Sequence, residues 1–216
     1  MVFDFDGLIM DSEWVIYEAA RAAFSAHGHE LTLEAWAGKV GTNDEDDPTW
    51  WDRLCGATGV VGFERGAFAA SYGEQDRSGR DSLPLLPGVE VLVDSLSAAG
   101  VPLGVASSSH GAWLERHLGR LGLLGRFGTL VGADRVGGVG KPAPDVYLRA
   151  CEDLDADPRR SVALEDSGHG ATAAKAAGMQ AVVVPNRITR FNDVAHADLV
   201  VGSLADLTVA DLEALV

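Results

Sequence analysis

The nine residues MVFDFDGLI, positions 1–9, join a short apolar run to two aspartates that lie two positions apart. The apolar run is typical of a β-strand, and Asp4 and Asp6 lie where that strand would end, just before Gly7. Two carboxylates this close repel each other unless a cation or a proton lies between them. A solvated acidic turn and a functional site fit this local pattern equally well, so the choice depends on the rest of the chain.

Residues 83–216 alternate between short apolar segments and helical segments. Strands are predicted over residues 101–107, 127–131, 161–164, 181–184 and 198–201, and helices over residues 112–121, 145–152 and 171–177. Strands that alternate with helices are typical of a parallel sheet covered on both faces. Three consecutive valines at 182–184 favour a strand that is buried on both sides. We therefore predict an α/β fold with a Rossmann-like, doubly wound parallel sheet.

Residues 12–81 differ from the rest of the chain. They contain four of the five tryptophans and no segment typical of a buried strand. Helices are predicted over residues 13–26, 31–40 and 50–54, with Ser12 as the N-cap of the first helix and Gly28 just after its end. The proline-rich segment LPLLPG, residues 83–88, follows. We predict a core formed by residues 1–11 and 82–216, with a helical insertion over residues 12–81.

The composition of the chain argues against several classes of binding partner and cellular location. The net charge of −15 over 216 residues argues against nucleic acid or an anionic membrane as a partner, because both attract basic surfaces. No apolar run approaches the roughly 18–20 residues that span a bilayer, and the N-terminal residues do not resemble a secretory signal. Cys55 and Cys151 have no disulfide or metal-ligand spacing. We expect a cytoplasmic protein that is a monomer or a weak homodimer.

Acidic and hydroxyl side chains follow three of the predicted strands, and these residues are Asp4 and Asp6, then Ser107, Ser108 and Ser109, then Glu165 and Asp166. Lys141 lies in the proline-stiffened loop GKPAP, residues 140–144. Open α/β sheets bind their ligands at the carboxyl ends of the strands. We therefore expect these side chains to lie close together around one site.

These residue types suit the transfer of a phosphoryl group. Asp4, Asp6 and Asp166 supply the oxygen ligands that Mg²⁺ prefers. Ser107 and Lys141 are suited to hold phosphoryl oxygens, and a helix that begins after the serines would present free N–H groups to the same anion. Asp4 could then attack phosphorus to form an aspartyl-phosphate, while Asp6 protonates the leaving oxygen and later takes a proton from water.

Four motifs appear in order along the chain, and they read DFDGLIMDS at 4–12, VASSS at 105–109, GKPAPD at 140–145 and LEDSGHG at 164–170. On these motifs the chain resembles the haloacid dehalogenase-like superfamily of phosphohydrolases, in the branch with a helical cap after the first strand. The segment AAKAAGM at 173–179 is also typical of that branch. The resemblance covers the core nearly end to end and implies that residues 12–81 form the cap domain.

The resemblance also implies roles for single residues. It implies Asp4 as the nucleophile and Asp6 as the general acid and base, with Ser107 and Lys141 on the phosphate. Asp6 is expected to bind Mg²⁺ through its backbone carbonyl, and Glu165 is expected to be an additional ligand or a neighbour of the ligands. The implied metal ligands are Asp4, Asp6, Asp166 and Glu165. The candidate substrate-binding residues are Ser107, Ser108, Ser109, His110 and Lys141.

Several activities occur in this superfamily. Dehalogenases carry a tyrosine at the position of Asp6, since a departing halide needs no proton, so Asp6 favours phosphoryl transfer. The chain is similar to β-phosphoglucomutase and related phosphatases, but residues 12–17 lack the histidine that the mutase carries near the start of its cap. We predict a Mg²⁺-dependent phosphatase. A phosphohexomutase, a phospho-receiver signalling module and an inactive binding protein are the alternatives.

The charge of the predicted cap bears on the substrate. Residues 12–81 carry 13 acidic and 6 basic side chains, which gives a net charge of −7. A polyanionic substrate would be repelled by this charge unless arginines of the cap faced the site. We therefore expect a small phosphorylated metabolite with a neutral leaving group, such as a sugar phosphate.

Overall fold

A parallel sheet forms the centre of the protein in a computed structural model. The structure describes residues 1–37, 49–69 and 79–216, and of Trp50 it describes only the backbone. The strands of this described part are β1 (Val2–Phe3), β2 (Gly104–Ala106), β3 (Thr129–Val131), β4 (Val162–Glu165), β5 (Gln180–Val183) and β6 (Leu199–Val200). Their order across the sheet is β3-β2-β1-β4-β5-β6, and every pairing is parallel. This is the strand order of doubly wound Rossmann sheets, so the predicted fold class is confirmed.

Helices cover both faces of the sheet. Among the α-helices of the described part are α1 (Ser12–Ala26), α2 (Leu33–Ala37), α3 (Trp50–Thr58), α4 (Val89–Ala98), α5 (Gly111–Arg120), α6 (Asp145–Asp153), α7 (Gly168–Ala176) and α8 (Val209–Glu213). Val162 and Leu164 of β4 belong to the core cluster that includes side chains of α4, α5 and α8. Ala163, between them, belongs to the opposite cluster with α6 and α7. Successive residues of one strand therefore face two separate cores, as the apolar runs predicted.

The predicted elements of the core are present with shifted ends. Of the strand predicted over 101–107, the structure has Gly104–Ala106 as β2, which pairs with Thr129–Val131 of β3. Helix α4 was not predicted, since its segment directly follows the proline-rich residues 83–88. Of the helix predicted over 31–40, the structure has Leu33–Ala37, and residues 38–40 lie outside the described part.

The N-cap that was predicted for α1 is wrong. The sequence indicated Ser12 as the N-cap of α1, but Asp11 precedes the helix and Ser12 is its first residue. The buried Ser12 hydroxyl instead donates to Oδ1 of Asp6 at 2.5 Å. The Ser12 hydroxyl is thus engaged as a donor in a charge-assisted hydrogen bond to a carboxylate, whereas a cap hydroxyl accepts from backbone N–H groups, which explains the difference.

The described part of the insertion, residues 12–37, 49–69 and 79–81, is helical and has its own apolar cluster. Phe24 packs edge-on against Phe63 and Phe68, with ring centroids 5.2 and 5.7 Å apart. Ile188, from the loop after β5, joins this cluster. The segments that lead into and out of the insertion lie side by side, because the N–H of Leu86 donates to the carbonyl of Ile9 at 2.9 Å. The division into core and cap domain remains a prediction.

Within the described residues, no helix has the length and apolar character that crossing a bilayer requires.

Candidate active site

The sheet register brings the motif residues to one edge. Phe3 pairs with Val105 on one side and with Leu164 on the other, so Asp4 is the first residue beyond β1 and lies beside Glu165. The N–H of Asp4 donates to the carbonyl of Leu164 at 2.8 Å. The chain leaves β1 in one direction for β2 and β3 and later returns to its other side for β4. Ligands of open α/β sheets bind at such a reversal of strand order.

Lys141 joins two carboxylates in the interior of this edge. Its Nζ donates to Oδ1 of Asp4 at 2.5 Å and to Oε1 of Glu165 at 2.6 Å. The Tyr147 hydroxyl, from α6, donates to the same Glu165 oxygen at 2.5 Å. Lys141 is only 2% exposed. Burial opposes the charged ammonium, but Asp4 and Glu165 outweigh that cost and raise the pKa of Lys141.

Three carboxyl groups meet beside that lysine. Asp4, Glu165 and Asp166 can each place one oxygen within 4.8 Å of the others, and all three are buried. Burial, together with the neighbouring carboxylate of Glu165, raises the pKa of Asp4 to about 8, against the lowering effect of Lys141. Burial and both neighbouring carboxylates also raise the pKa of Asp166 well above its ordinary value. The raised pKa values show that one ammonium does not compensate three ionised carboxylates, and a divalent cation with oxygen ligands would supply the missing positive charge.

Asp6 lies outside this cluster and has a different set of neighbours. Its Oδ1 accepts hydrogen bonds from Ser12 and from Nε1 of Trp113, the latter at 3.1 Å. Its Oδ2 accepts from the Ser109 hydroxyl at 2.6 Å. The Ser107 hydroxyl lies 3.5 Å from the same oxygen. The carboxylate of Asp6 is therefore oriented by donors from the start of α1, from the serine loop and from α5.

The serine loop connects the lysine to the rest of the site. The Ser107 hydroxyl accepts from the backbone N–H of Ser109 at 3.0 Å, which shapes the turn before α5. The Ser108 hydroxyl accepts from the backbone N–H of Lys141 at 3.0 Å. His110 is exposed and immediately precedes α5. The loop thus touches both Asp6 and the Lys141 segment, while His110 lies at the surface.

Comparisons with known proteins agree with this geometry. The family profile described as haloacid dehalogenase-like hydrolase matches residues 1–184. This chain belongs to that family. YhcW of Bacillus subtilis (strain 168) is 34% identical over 218 residues, which covers 97% of this chain and 94% of that protein. Hexitol phosphatase B of Escherichia coli (strain K12) is 31% identical over 229 residues, with 98% and 95% covered.

A solved structure matches over the same length. A mutant of CbbY from Rhodobacter sphaeroides, in complex with xylulose-(1,5)bisphosphate, superposes with a TM-score of 0.73 and is 27% identical. The match covers 98% of this chain and 97% of that one. The family resemblance and the enzyme class inferred from the four motifs are confirmed.

Sequence reasoning missed several side chains of this haloacid dehalogenase-like site. Asn186, the third residue after the end of β5, donates from Nδ2 to Oδ2 of Asp166 at 2.8 Å and to the carbonyl of Gly7 at 3.2 Å. The strand-end rule that selected Asp166 could also have selected Asn186. Tyr147 and Trp113 had no such signal, because their faces on α6 and α5 become known only once the helices are packed.

Proposed function

We propose that this protein is a Mg²⁺-dependent phosphatase that hydrolyses a small phosphate monoester through an aspartyl-phosphate on Asp4. The observation that carries the proposal is the buried contact between Lys141 and Asp4, beside Asp166, at the carboxyl edge of the sheet. An anionic nucleophile can approach an anionic phosphate only where cations offset the repulsion, and this arrangement provides one cation and a place for a second.

Asp4 and Asp166 are the side chains that would hold Mg²⁺, together with the backbone carbonyl of Asp6. Their buried oxygens are hard ligands, and the excess negative charge of the site matches a divalent ion. When bound, the ion offsets the charge of the nucleophile and of the phosphoryl group.

Glu165 is not a metal ligand in this proposal, although it lies beside the metal site. Its Oε1 accepts from Lys141 and Tyr147, and its Oε2 accepts from the backbone N–H of Asp166 at 3.2 Å. Because both oxygens are engaged, Glu165 holds the Lys141 ammonium in place more readily than it binds an ion. We therefore assign it as a positioning residue next to the metal site.

The reaction would proceed in two steps. In the first, a carboxylate oxygen of Asp4 attacks phosphorus, the bond to the leaving oxygen breaks, and Asp6 gives that oxygen a proton. Lys141 and the Ser107 hydroxyl hold the phosphoryl oxygens. The N–H groups at the start of α5, which the sequence predicted to be free, are engaged within the protein, since that of Gly111 donates to Oδ1 of Asp134 at 2.7 Å and that of Trp113 to the carbonyl of His110 at 3.0 Å. In the second, Asp6 takes a proton from a water that attacks phosphorus, which releases inorganic phosphate and restores Asp4.

Two of the remaining predicted substrate-binding residues hold other residues of the site in position. Ser108 fixes the backbone of Lys141, and Ser109 orients Asp6. His110 lies at the surface where the loop opens toward solvent. The predicted cap, residues 12–81, would exclude bulk water during the first step.

The proposed substrate is a small phosphorylated carbohydrate. The net charge of −7 on residues 12–81 disfavours polyanions. The name of hexitol phosphatase B and the sugar bisphosphate bound to CbbY place phosphorylated carbohydrates among the ligands of relatives. A monophosphate with a neutral leaving group fits both considerations.

A screen of phosphate release tests the proposal. Sugar monophosphates, sugar bisphosphates and nucleotides would be incubated with the protein in Mg²⁺ or in EDTA, and again with Asp6→Ala. We expect the largest rates with a sugar monophosphate, loss of release in EDTA, and a decrease of about 10²–10⁴-fold in Asp6→Ala. Preference for nucleotides would contradict the substrate class, and full release in EDTA would contradict the metal.

Product analysis with a hexose 1-phosphate separates the alternatives. A phosphatase yields free hexose and inorganic phosphate, whereas a phosphohexomutase yields hexose 6-phosphate. A phospho-receiver or a binding protein yields neither at a catalytic rate. Phosphate release that is lost in Asp4→Asn would favour the phosphatase.

A further inference from the structure

The Asp6 carboxylate has one neighbour that differs in kind from the others. Three of the groups around it are serine hydroxyls, from Ser12, Ser107 and Ser109. A hydroxyl can rotate and can either donate or accept a hydrogen bond. The fourth group is the indole N–H of Trp113, which only donates and is fixed in the plane of a rigid ring. Trp113 therefore restricts Asp6 in a way that the serines do not.

The indole is itself held from two sides. Trp113 and His117 lie one turn apart on α5, and their ring centroids are 3.8 Å apart. The guanidinium carbon of Arg80 lies 4.6 Å from the centroid of the Trp113 ring. Arg80 belongs to the short 3₁₀ helix Arg80–Ser82, by which the chain returns from the predicted cap. Burial and the charge of Arg120 lower the pKa of His117, which favours its neutral ring.

The two carboxylate oxygens of Asp6 have different hydrogen-bond partners. Oδ1 accepts from both Ser12 and Trp113, which occupies both of its lone-pair directions. Oδ2 faces the serine loop, where the proposed phosphate site begins. A proton on Oδ1 could not point at Trp113, because that N–H cannot accept it, whereas both neighbours of Oδ2 are hydroxyls that can accept. Trp113 therefore favours the proton of the neutral acid on Oδ2, on the side of the proposed phosphate site.

We propose that Trp113 is a positioning residue for Asp6, which places the transferable proton on Oδ2 and aims it at the leaving oxygen. The inference rests on the acid and base role of Asp6 in the proposed function. In the step concerned, the bond between phosphorus and the leaving oxygen breaks as the Oδ2 proton moves to that oxygen, which leaves the carboxylate that the indole N–H stabilises. Arg80 and His117 hold the ring that makes this possible.

A pair of substrates of similar size isolates this role. Phenyl phosphate releases a weakly acidic phenol and depends on a proton donor, whereas p-nitrophenyl phosphate releases a good leaving group and depends on it far less. Trp113→Phe keeps an aromatic ring in the stack and removes the N–H. We expect kcat/KM to fall about tenfold for phenyl phosphate, and at most about twofold for p-nitrophenyl phosphate.

Two variants make the outcomes distinguishable. Asp6→Asn should show the same selective loss to a greater degree, and an equal loss on both substrates would overturn the acid role of Asp6 itself. A second outcome is that Asp6→Asn lowers kcat/KM selectively for phenyl phosphate while Trp113→Phe lowers kcat/KM equally for both substrates. In that case the positioning role of Trp113 is wrong and the proposed function stands. Trp36→Phe, in the aromatic cluster of the insertion, is the matched control. It should change kcat/KM for both substrates by the same factor.

A second replacement covers the case in which Trp113→Phe folds poorly. Incorporation of 3-benzothienylalanine at position 113 keeps the bicyclic shape and the stack but has sulfur in place of the N–H. We expect the same selective loss with phenyl phosphate. Unchanged kinetics on both substrates with this replacement would contradict the inference, because the ring would then act without its hydrogen bond.

Discussion

The Asp166 carboxylate is oriented by a single amide side chain, that of Asn186. Its Nδ2 lies 2.8 Å from Oδ2 of Asp166 and 3.2 Å from the carbonyl of Gly7, so it joins the Asp166 carboxylate to the turn that follows Asp6. Groups that orient a metal ligand commonly change metal affinity by 10–100-fold when they are removed. Asn186→Ala should therefore raise the Mg²⁺ concentration that gives half-maximal activity by about tenfold or more.

The same loop offers a matched control for that variant. Asn192 is also half-buried, but its side chain bonds to other groups, since its Oδ1 accepts from the N–H of Gly168 at 3.3 Å and its Nδ2 donates to the carbonyl of Ala37 at 3.2 Å. Asn192→Ala should leave the Mg²⁺ requirement near that of the wild type. An unchanged Mg²⁺ requirement in Asn186→Ala, measured by titration of phosphate release, would contradict the role given to Asn186.

Single residues of the site differ in how far the sequence predicted them. Asp4, Lys141 and Asp166 follow strands or lie in a stiff loop, so motif and strand-end rules were enough to bring them together. The part that Glu165 plays could not be predicted, since it depends on Tyr147 reaching it from α6. A helix presents several residues toward the sheet, and only packing decides which of them touches a buried carboxylate.

Helix α7 approaches the site so closely that one of its positions has no room for a side chain. A Cβ added at Gly170 would lie 1.9 Å from the carboxyl carbon of Glu165. Gly170→Ala should push that carboxylate away from Lys141, lower activity at least about tenfold and destabilise the fold by about 1–3 kcal/mol. Thermal unfolding and phosphate release measure the two effects.

A second helical glycine provides the comparison. A Cβ at Gly119, in α5, would have its nearest neighbour at 3.9 Å, the Leu124 side chain, which is an ordinary contact. Gly119→Ala should therefore raise stability by about 0.5–1 kcal/mol through helix propensity and keep full activity. If Gly170→Ala were as stable and as active as Gly119→Ala, the close approach of α7 to Glu165 would be refuted.

At the level of elements, the sequence predicted which segments pair and cover the sheet better than where they end. The apolar runs located the strands after residue 100, because burial on both faces leaves a strong signal. Helix α4 was missed because prolines and a glycine immediately before it suggested only a hinge. The prediction of Ser12 as a cap failed because its hydroxyl has a carboxylate partner 6 residues earlier in the chain, and only the tertiary turn reveals that partner.

The charge excess of the site should make the stability of the whole protein depend on pH and on Mg²⁺. In the folded protein the pKa of Asp4 is raised from 3.8 to about 8, and that of Asp166 is raised as well. Between about pH 4 and pH 8 the folded state therefore holds more protons than the unfolded state, so without a cation stability falls as pH rises. Saturating Mg²⁺ should reduce this fall, because the ion stabilises the ionised carboxylates of the folded state.

Melting temperatures across that pH range, in EDTA and in Mg²⁺, measure the effect. Asp4→Asn should flatten the decline that is seen in EDTA, because it removes one of the raised groups. Asp52→Asn removes the same charge from an exposed position on α3 and should keep the wild-type slope. Equal slopes for wild type, Asp4→Asn and Asp52→Asn would show that the site carboxylates do not control stability.

The most direct measurement is to locate the phosphoryl group on the protein during turnover. The protein and its best phosphate ester would be mixed with Mg²⁺, quenched rapidly in acid, reduced with borohydride and mapped by mass spectrometry. We predict an acyl phosphate at Asp4, which borohydride converts to homoserine at that position, and no such product in Asp4→Asn. A phosphoryl group on another residue, or phosphate release by Asp4→Asn at the wild-type rate, would contradict Asp4 as the nucleophile.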